Sequence, residues 1–322
     1  MHAAVLHKLG AVPRYEEFAE PVLRDKDNEA IVHVHAASLK PVDKQMASGA
    51  HFASRGELPR VCGTDGVGHL ESGQRVFFGG PRPPHGAMAE RTVVPRAFSF
   101  PIPENVDDAT AAALPNPGIS AWLSLAYRAK LVAGENVLIL GATGITGKLA
   151  VRIAKLLGAA RVVAAGRNQE VLNTLVNLGA DATISLTGSA AELTDAFLRE
   201  AGQSGFQVVI DYVWGTPAEA FLTAITRKEF AAIQCETRFV QVGESAAPSI
   251  TLPAAVLRST AVTILGTAGI PPRDVLVEAF QQVMAHAAKG NLHIDTEKVP
   301  LADIENAWLR DKVRSRLVMI MR

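Results

Sequence analysis

Apolar and polar positions change rhythm along this 322-residue chain. From Met1 to about residue 100, short apolar runs are broken by Gly, Pro and His, and few stretches keep a helical spacing. Met1–His7, Tyr15–Phe18, Glu29–Leu39, Gly66–Leu70, Arg75–Phe78 and Ala87–Val94 read as strands. Short strands with Gly/Pro turns predict a partly closed β-barrel. The stretch Gly79-Gly80-Pro81-Arg82-Pro83-Pro84 reads as an exposed loop. At Val106 the pattern turns helical: Asp107–Leu114 opens on acidic residues, Pro115 and Pro117 break it, and Ile119–Ala129 resumes it. From Asn136 strands and helices alternate, with strands predicted at 136–140, 161–165, 181–185, 207–211, 238–242 and 261–265. That alternation is the signature of a parallel sheet covered on both faces. Pro271–Lys289 reads as a long helix ended by Gly290, and His293–Ile320 leaves the alternation and returns to the first domain.

Where the alternation begins, the chain reads Glu135-Asn136-Val137-Leu138-Ile139-Leu140-Gly141-Ala142-Thr143-Gly144-Ile145-Thr146-Gly147. A buried strand runs into a glycine-rich turn, and a helix follows with Leu149, Ile153, Leu156 and Leu157 on one face. Glycines let the backbone turn sharply and come close to a ligand, and the helix N-terminus offers free N–H groups to a pyrophosphate. Strand, turn and helix in this order predict a dinucleotide site with contacts from Gly141, Thr143, Gly144, Ile145, Thr146 and Gly147.

Composition narrows the picture mainly by exclusion. Hydrophobic content of 48% and charged content of 20% suit a globular chain of roughly two domains. Net charge is zero, which gives no electrostatic footprint for nucleic acid or an acidic membrane. Cys62 and Cys235 are too few and too far apart for a disulfide framework or a cysteine metal cluster, which favours a reducing compartment. No apolar run approaches the roughly 20 residues that span a bilayer, and the N-terminus does not read as a signal peptide, so the expected location is the cytoplasm. His33-x-His35 is a pair on one strand face; without a nearby carboxylate or cysteine it reads as two strand residues rather than a chelate.

The three tyrosines, Tyr15, Tyr127 and Tyr212, have no lysine four residues on, so the Tyr-x-x-x-Lys pair of short-chain reductases is missing. The ordered set of motifs instead resembles the zinc-independent quinone oxidoreductase (zeta-crystallin-like) branch of the medium-chain dehydrogenase/reductase superfamily. Lys40-Pro41-Val42-Asp43-Lys44-Gln45-Met46-Ala47-Ser48-Gly49, Gly63-Thr64-Asp65-Gly66-Val67-Gly68 and Gly86-Ala87-Met88-Ala89-Glu90-Arg91 carry the resemblance in the first domain. Ala111–Leu114, Ser120-Ala121-Trp122, the turn at Gly141–Gly147, Leu178–Asp181, Val208–Asp211 and Arg316–Ile320 carry it through the rest. It implies an α/β fold in which a GroES-like β-barrel catalytic domain, residues 1–117 and 267–322, surrounds a Rossmann domain at 118–266. It also implies an active site in the cleft and a homodimer paired through the strand near Ala261–Leu265.

Zinc alcohol dehydrogenases of this superfamily hold their metal on cysteine and histidine. The matching positions here are Lys40, Thr64 and Asn116, and a lysine repels a cation, so no metal ligand is expected. For the nucleotide, the strand at 161–165 ends in Gly166-Arg167-Asn168 with no carboxylate to accept from a ribose 2′-hydroxyl. Arg167 offers a planar fork of donors suited to a 2′-phosphate, which favours NADPH over NADH. Related reductases often add a lysine and a tyrosine nearby, where this chain has Val171 and Leu186. By resemblance, Ser120, Val242, Gly243 and Arg310 also touch the cofactor, while Ser120 as a helix cap and Gly243 as a plain turn are the alternatives.

Without a metal, hydride must go to an acceptor that is already electrophilic, a quinone or an α,β-unsaturated carbonyl. Lys40 is the expected cation for the developing oxygen charge, with Asp43 holding it or the loop, and Gln45 an additional donor. Asp43 as a turn residue bonding its local backbone is the structural alternative. The branch often carries Asn at the position of Lys40, and Tyr and Arg at those of Gln45 and Ala47, so the pocket departs from the usual one. His51 or solvent supplies the proton. Trp214 is either core or cleft lining. The altered pocket motivates a second reading, a non-catalytic NADPH-binding sensor or scaffold; a zinc alcohol dehydrogenase is a third.

Overall fold

The six apolar runs after residue 135 form six strands, Asn136–Leu140, Arg161–Gly166, Ala182–Ser185, Val208–Asp211, Thr237–Gln241 and Val262–Gly266. The computed structural model describes residues 1–50, 54, 57–231, 235–267, 271–310 and 315–321. All five pairings in this sheet are parallel. Its spatial order starts at Ala182–Ser185 and passes through Arg161–Gly166 to Asn136–Leu140, then Val208–Asp211, Thr237–Gln241 and Val262–Gly266. The order reverses direction at Asn136–Leu140, and such a switch point at the carboxyl ends of the strands is where open α/β sheets bind ligands. The register lines those ends up: Leu140 pairs with Ala165 on one side and Asp211 on the other, and Asp211 with Gln241.

One core under this sheet joins Leu138, Val163 and Val209 to Phe197 of helix Ala190–Ala201 and Phe221 of helix Gly215–Ala224. Phe197, Phe206, Phe221 and Phe239 meet there with ring centroids 5.7 to 6.3 Å apart. Such pairs add roughly 0.5–1.5 kcal/mol each beyond their buried area. In the helix Ile145–Leu156, Leu149 and Ile153 are buried as their spacing predicts, while Leu156 and Leu157 are only half-buried and Ala150, Val151 and Ala154 complete the face.

The remaining strands build the GroES-like β-domain. His2–Leu6 pairs with Arg14–Glu17 and Arg60–Val61 in a three-stranded sheet. Glu29–Ser38 is the centre of a seven-stranded sheet, pairing with Asp65–Leu70, Arg91–Pro95 and the C-terminal Arg316–Ile320. The run Ala87–Val94 becomes a strand only from Arg91; Ala89 makes a single bridge to Ala3, and Ala87 to Ala89 are buried in the domain core. Two elements run against the local pattern. Pro41–Ser48 is a helix with its proline in the first turn, and Pro115, which follows the end of the helix Asp108–Ala113 as the pattern predicts, also opens a second helix, Pro115–Trp122, that takes in Pro117. A π-helical stretch, Leu123–Arg128, follows.

The chain divides into two compact units, Met1–Pro115 with Met284–Arg322, and Asn116–Val283. The return to the first unit falls inside the helix Arg273–Ala288, whereas the sequence places it at 267. The helix is continuous across that point, so no break in the hydrophobic pattern marks it.

Candidate functional site

The glycine-rich turn is shaped as a cradle. Gly141 takes a φ of +85°, and Gly141 and Ala142 both donate to Ala165 O, at 2.9 and 2.8 Å, which ties the turn to the neighbouring strand. Gly144 donates to Gly141 O at 3.1 Å and serves as the N-cap of the helix Ile145–Leu156. The first N–H of this helix to return to an acceptor is that of Lys148, on Gly144 O at 2.9 Å. The N–H groups of Ile145, Thr146 and Gly147 therefore have no acceptor within the helix and suit an anion. A Cβ on Gly147 would lie 2.3 Å from Gly141 O, so the helix comes this near the turn only with glycine there. Thr143 reaches across to the next strand end, where a Cβ on Gly166 would lie 2.4 Å from Thr143 Cγ2. The sequence reading missed that role for Gly166.

Arg167 follows Gly166 directly. It is exposed and makes no hydrogen bond or ion pair with the described residues. Asn168 beside it caps the helix Gln169–Leu175, its Oδ1 accepting from Val171 N at 3.1 Å. Val242 and Gly243 leave the strand Thr237–Gln241, and both donate to Asp211 O, at 2.8 and 3.1 Å. A Cβ on Gly243 would lie 2.8 Å from Tyr212 O, so this glycine is a close-approach residue as well as a turn. Ser120 lies inside the helix Pro115–Trp122, its carbonyl accepting from Ser124 Oγ at 2.7 Å. The helix-cap alternative for Ser120 is corrected.

Sequence reasoning also passed over Asp211. Its carboxyl is fully buried; Oδ1 accepts from Val213 N at 2.8 Å and Trp214 N at 2.9 Å, while Oδ2 has no partner among the described residues. Burial pushes its pKa up to about 6, and the two backbone donors oppose that rise. Trp214 has φ +58° and ψ −159°, a region that almost only glycine occupies and that costs other residues about 1–3 kcal/mol. Its indole is half-buried, packing on the sheet core with its ring centroid 6.2 Å from that of Phe239. Tyr212 OH is buried without a partner among the described residues, and burial lifts that phenol well above its ordinary range.

In the β-domain, the residues expected to carry chemistry form a buried charge cluster. Lys40 is 1% exposed and is the N-cap of helix Pro41–Ser48. Its Nζ donates to Ser38 O at 3.0 Å and Asp65 Oδ1 at 2.9 Å, and lies 3.1 Å from Asp43 Oδ2. Burial works against the ammonium charge, but the Asp43 and Asp65 carboxylates outweigh it and hold the lysine pKa above its ordinary value. Asp43 Oδ2 also accepts from Lys40 N at 2.9 Å, and Oδ1 from Thr64 N and Thr64 Oγ1, both at 3.0 Å. Arg316, buried nearby with Nη1 on Leu39 O at 3.1 Å, is pulled down by burial while Asp43 and Asp65 act to keep it charged. Two cations thus face two carboxylates. The expectation that Lys40 offers a free donor to a substrate is corrected: three neighbours already take up its ammonium. Asp43 lies in the first turn of a helix, where its carboxylate accepts from the local backbone at Lys40 N, as the structural alternative has it, and also meets the Lys40 ammonium and the loop at Thr64.

A cavity of about 180 Å³ opens beside this cluster, lined by Asp43 and Thr64 and by apolar Met46, Ala47, Pro81 and Pro84. Cys62 also borders it, but burial pushes that thiol up to about 12, which leaves it un-ionised and inert near neutral pH. Gln45 is exposed on the helix Pro41–Ser48. His51 lies outside the described residues. Arg310 is bidentate to Glu297 at 2.6 and 2.8 Å, so its guanidinium is already engaged within the β-domain.

The histidines of Glu29–Ser38 have companions the linear sequence hid. His33 is opposite His69 in the ladder, and a bulge between Val34 and Ala36 turns His35 towards the same neighbour. His69 Nδ1 is 3.1 Å from His35 Nε2, and His35 Nδ1 is 3.2 Å from Asp108 Oδ2. These are hydrogen bonds; among the described residues no three such side chains are grouped to hold a metal ion.

Residues 146–289 match the family profile described as zinc-binding dehydrogenase. The mouse quinone oxidoreductase-like protein 2 is 30% identical over 252 residues, covering 77% of this chain and 68% of its own length. An NADPH-dependent alkenal/one oxidoreductase of Arabidopsis thaliana is 32% identical over 179 residues, 50% of this chain and 46% of that one. The quinone oxidoreductase of Thermus thermophilus, solved also as its complex with NADPH, superimposes with a TM-score of 0.75 at 26% identity, over 99% of this chain and 100% of that one. The zinc name of the profile does not extend to the residues here, since Lys40 and Thr64 at the ligand positions are engaged in an ion-pair cluster. With the parallel sheet, the glycine cradle and these relatives together, the chain belongs to the zinc-independent quinone oxidoreductase branch of the medium-chain dehydrogenase/reductase superfamily and is an oxidoreductase.

Proposed function

We propose that this oxidoreductase uses NADPH to reduce a quinone or an α,β-unsaturated carbonyl without a metal ion. The observation that carries the reading is Arg167, exposed and unpaired among the described residues, at the strand end beside the glycine cradle, a setting suited to a 2′-phosphate. The Arabidopsis relative's activity on alkenals and -ones with NADPH, and the NADPH complex of the Thermus enzyme, support both nucleotide and acceptor class. The N–H groups of Ile145, Thr146 and Gly147 would hold the pyrophosphate, Arg167 and Asn168 the 2′-phosphate end, and Val242-Gly243 the nicotinamide ribose, with Ser120 near the ring. NADPH supplies the hydride when bound. The apolar cavity beside Thr64 suits a conjugated ring or chain. Solvent is the proton source in this reading, because Lys40 and Asp43 are occupied and Gln45 is not an acid. The outer side of Val262–Gly266, the last strand of its sheet, supports pairing into a homodimer.

The test is oxidation of NADPH and of NADH by purified protein with chelator present, against quinones, enones and simple ketones. Turnover of quinones or enones with a preference for NADPH is the expected result; activity with NADH alone sinks the role of Arg167. The full occupation of Lys40 favours one second reading, a sensor that binds NADPH without turnover. Tight NADPH binding with no turnover on the whole panel would select it.

A further inference from the structure

The three loops at the carboxyl edge of the parallel sheet meet at one residue the chemistry above does not use. Asp211 O accepts from Val242 N and Gly243 N, and its Oδ1 accepts from Val213 N and Trp214 N. Tyr212 N donates to Leu140 O at 3.1 Å, just before the glycine turn. Val213 O accepts from Ala246 N at 2.8 Å, and Val213 sits so close to Gly141 that a Cβ there would lie 2.8 Å from Val213 Cγ1. The last link is Trp214, in a backbone conformation that non-glycine residues avoid, with its indole anchored in the core beside Phe239. Left to itself, that residue would relax to negative φ and carry Val213 and Gly215 with it. The Asp211 carboxyl is what opposes this, by bonding the amides on either side of Val213, the second of which joins Val213 to Trp214 and so fixes the peptide plane on the N-terminal side of Trp214.

We propose that Asp211 is the positioning residue of the nucleotide site: it holds Trp214 in its left-handed conformation and so seats Val213 against Gly141 and the 242–247 loop. This rests on the nucleotide reading above. A buried carboxyl with one oxygen given wholly to two backbone donors is a costly device for closing a turn. Here it serves a loop that three strand ends share.

Glycine takes positive φ without being held, so the test is a coupling measurement on the full chain. NADPH affinity is measured by titration for Asp211→Ala, Asp211→Asn, Trp214→Gly and the Asp211→Ala/Trp214→Gly pair. Asp211→Ala is expected to weaken NADPH about tenfold, Asp211→Asn less because it keeps an acceptor, and the Asp211→Ala loss to shrink to about threefold or less when residue 214 is glycine. Amide hydrogen exchange at Val213 and Trp214, which needs no cofactor, should quicken in Asp211→Ala while the strands 136–140 and 161–166 stay protected. Equal losses in both backgrounds, or unchanged exchange at Val213 and Trp214, overturn the positioning role. Wild-type protein that does not bind NADPH, with exchange responding as expected, overturns the nucleotide reading instead.

Discussion

Asp211 and Arg167 show how differently two single residues express themselves in the sequence. Arg167 is legible because it follows a recognisable strand and stands where a carboxylate would otherwise be. Arg167→Ala is expected to weaken NADPH by about tenfold to a hundredfold, the worth of charged hydrogen bonds to a phosphate, and to leave NADH unchanged. Equal losses for the two nucleotides would remove it from the site. Asp211 looks in the sequence like any strand-ending aspartate; only its burial reveals it. Its carboxyl lies at about 6 in the folded chain against an ordinary value of 3.8. The native state therefore binds this proton more tightly than the unfolded chain, so the stability it contributes is fully present below about pH 3.8 and is lost as pH rises to about 6. Asp211→Asn has no such proton. Urea unfolding from pH 4 to 7 should show the mutant gaining on wild type by about 3 kcal/mol as pH rises, and a constant difference would refute the assignment.

At the scale of elements, two short segments respond differently to change. In the turn before the helix Ile145–Leu156, Gly147→Ala forces a Cβ to 2.3 Å from Gly141 O and 2.6 Å from Ala142 Cα, both backbone atoms that cannot rotate away. A loss of about 1–3 kcal/mol is expected, with weakened NADPH binding. Gly144→Ala meets only Gly141 O at 3.5 Å, an ordinary contact, so thermal unfolding should separate the two variants clearly. The motif spacing identified this turn but could not rank its glycines, because closeness depends on the returning strand. At the start of the helix Pro41–Ser48, Lys40→Met leaves Asp43 and Asp65 buried without the ammonium that both face, with Arg316 as a neighbouring cation. That should destabilise the chain by about 3–5 kcal/mol, whereas an active-site lysine at the surface would lower turnover at unchanged stability. Denaturation alongside NADPH-dependent turnover distinguishes these outcomes.

For the whole molecule, nucleotide should change stability and metal should not. NADPH at a hundred times its dissociation constant is expected to stabilise the protein by about 2.7 kcal/mol, seen as a raised unfolding temperature. Chelator treatment should change neither the unfolding temperature nor turnover, and activity restored by added zinc would contradict the residue chemistry at Lys40 and Thr64. The parallel sheet and the return of Arg316–Ile320 to Glu29–Ser38 agree with what the hydrophobic rhythm and motif order predict. The unit boundary inside Arg273–Ala288 does not, because a helix with one continuous pattern can serve two cores.

What the sequence determined by itself follows from local physics. Short apolar runs, glycine spacing and an arginine, Arg167, where a carboxylate would otherwise stand act within a few residues of one another, so they determined the strand positions, the glycine turn and the expected cofactor. What tertiary structure decided depends on groups far apart in the chain. Lys40 meets Asp43 three residues on, but its second carboxylate came with Asp65 from another strand, and His35 met His69 and Asp108 from equally distant parts of the chain. Asp211 and Trp214 acquired their strained geometry from loops that converge at the end of a sheet. Charge burial and backbone strain are properties of that surrounding structure, and no short stretch of sequence contains them.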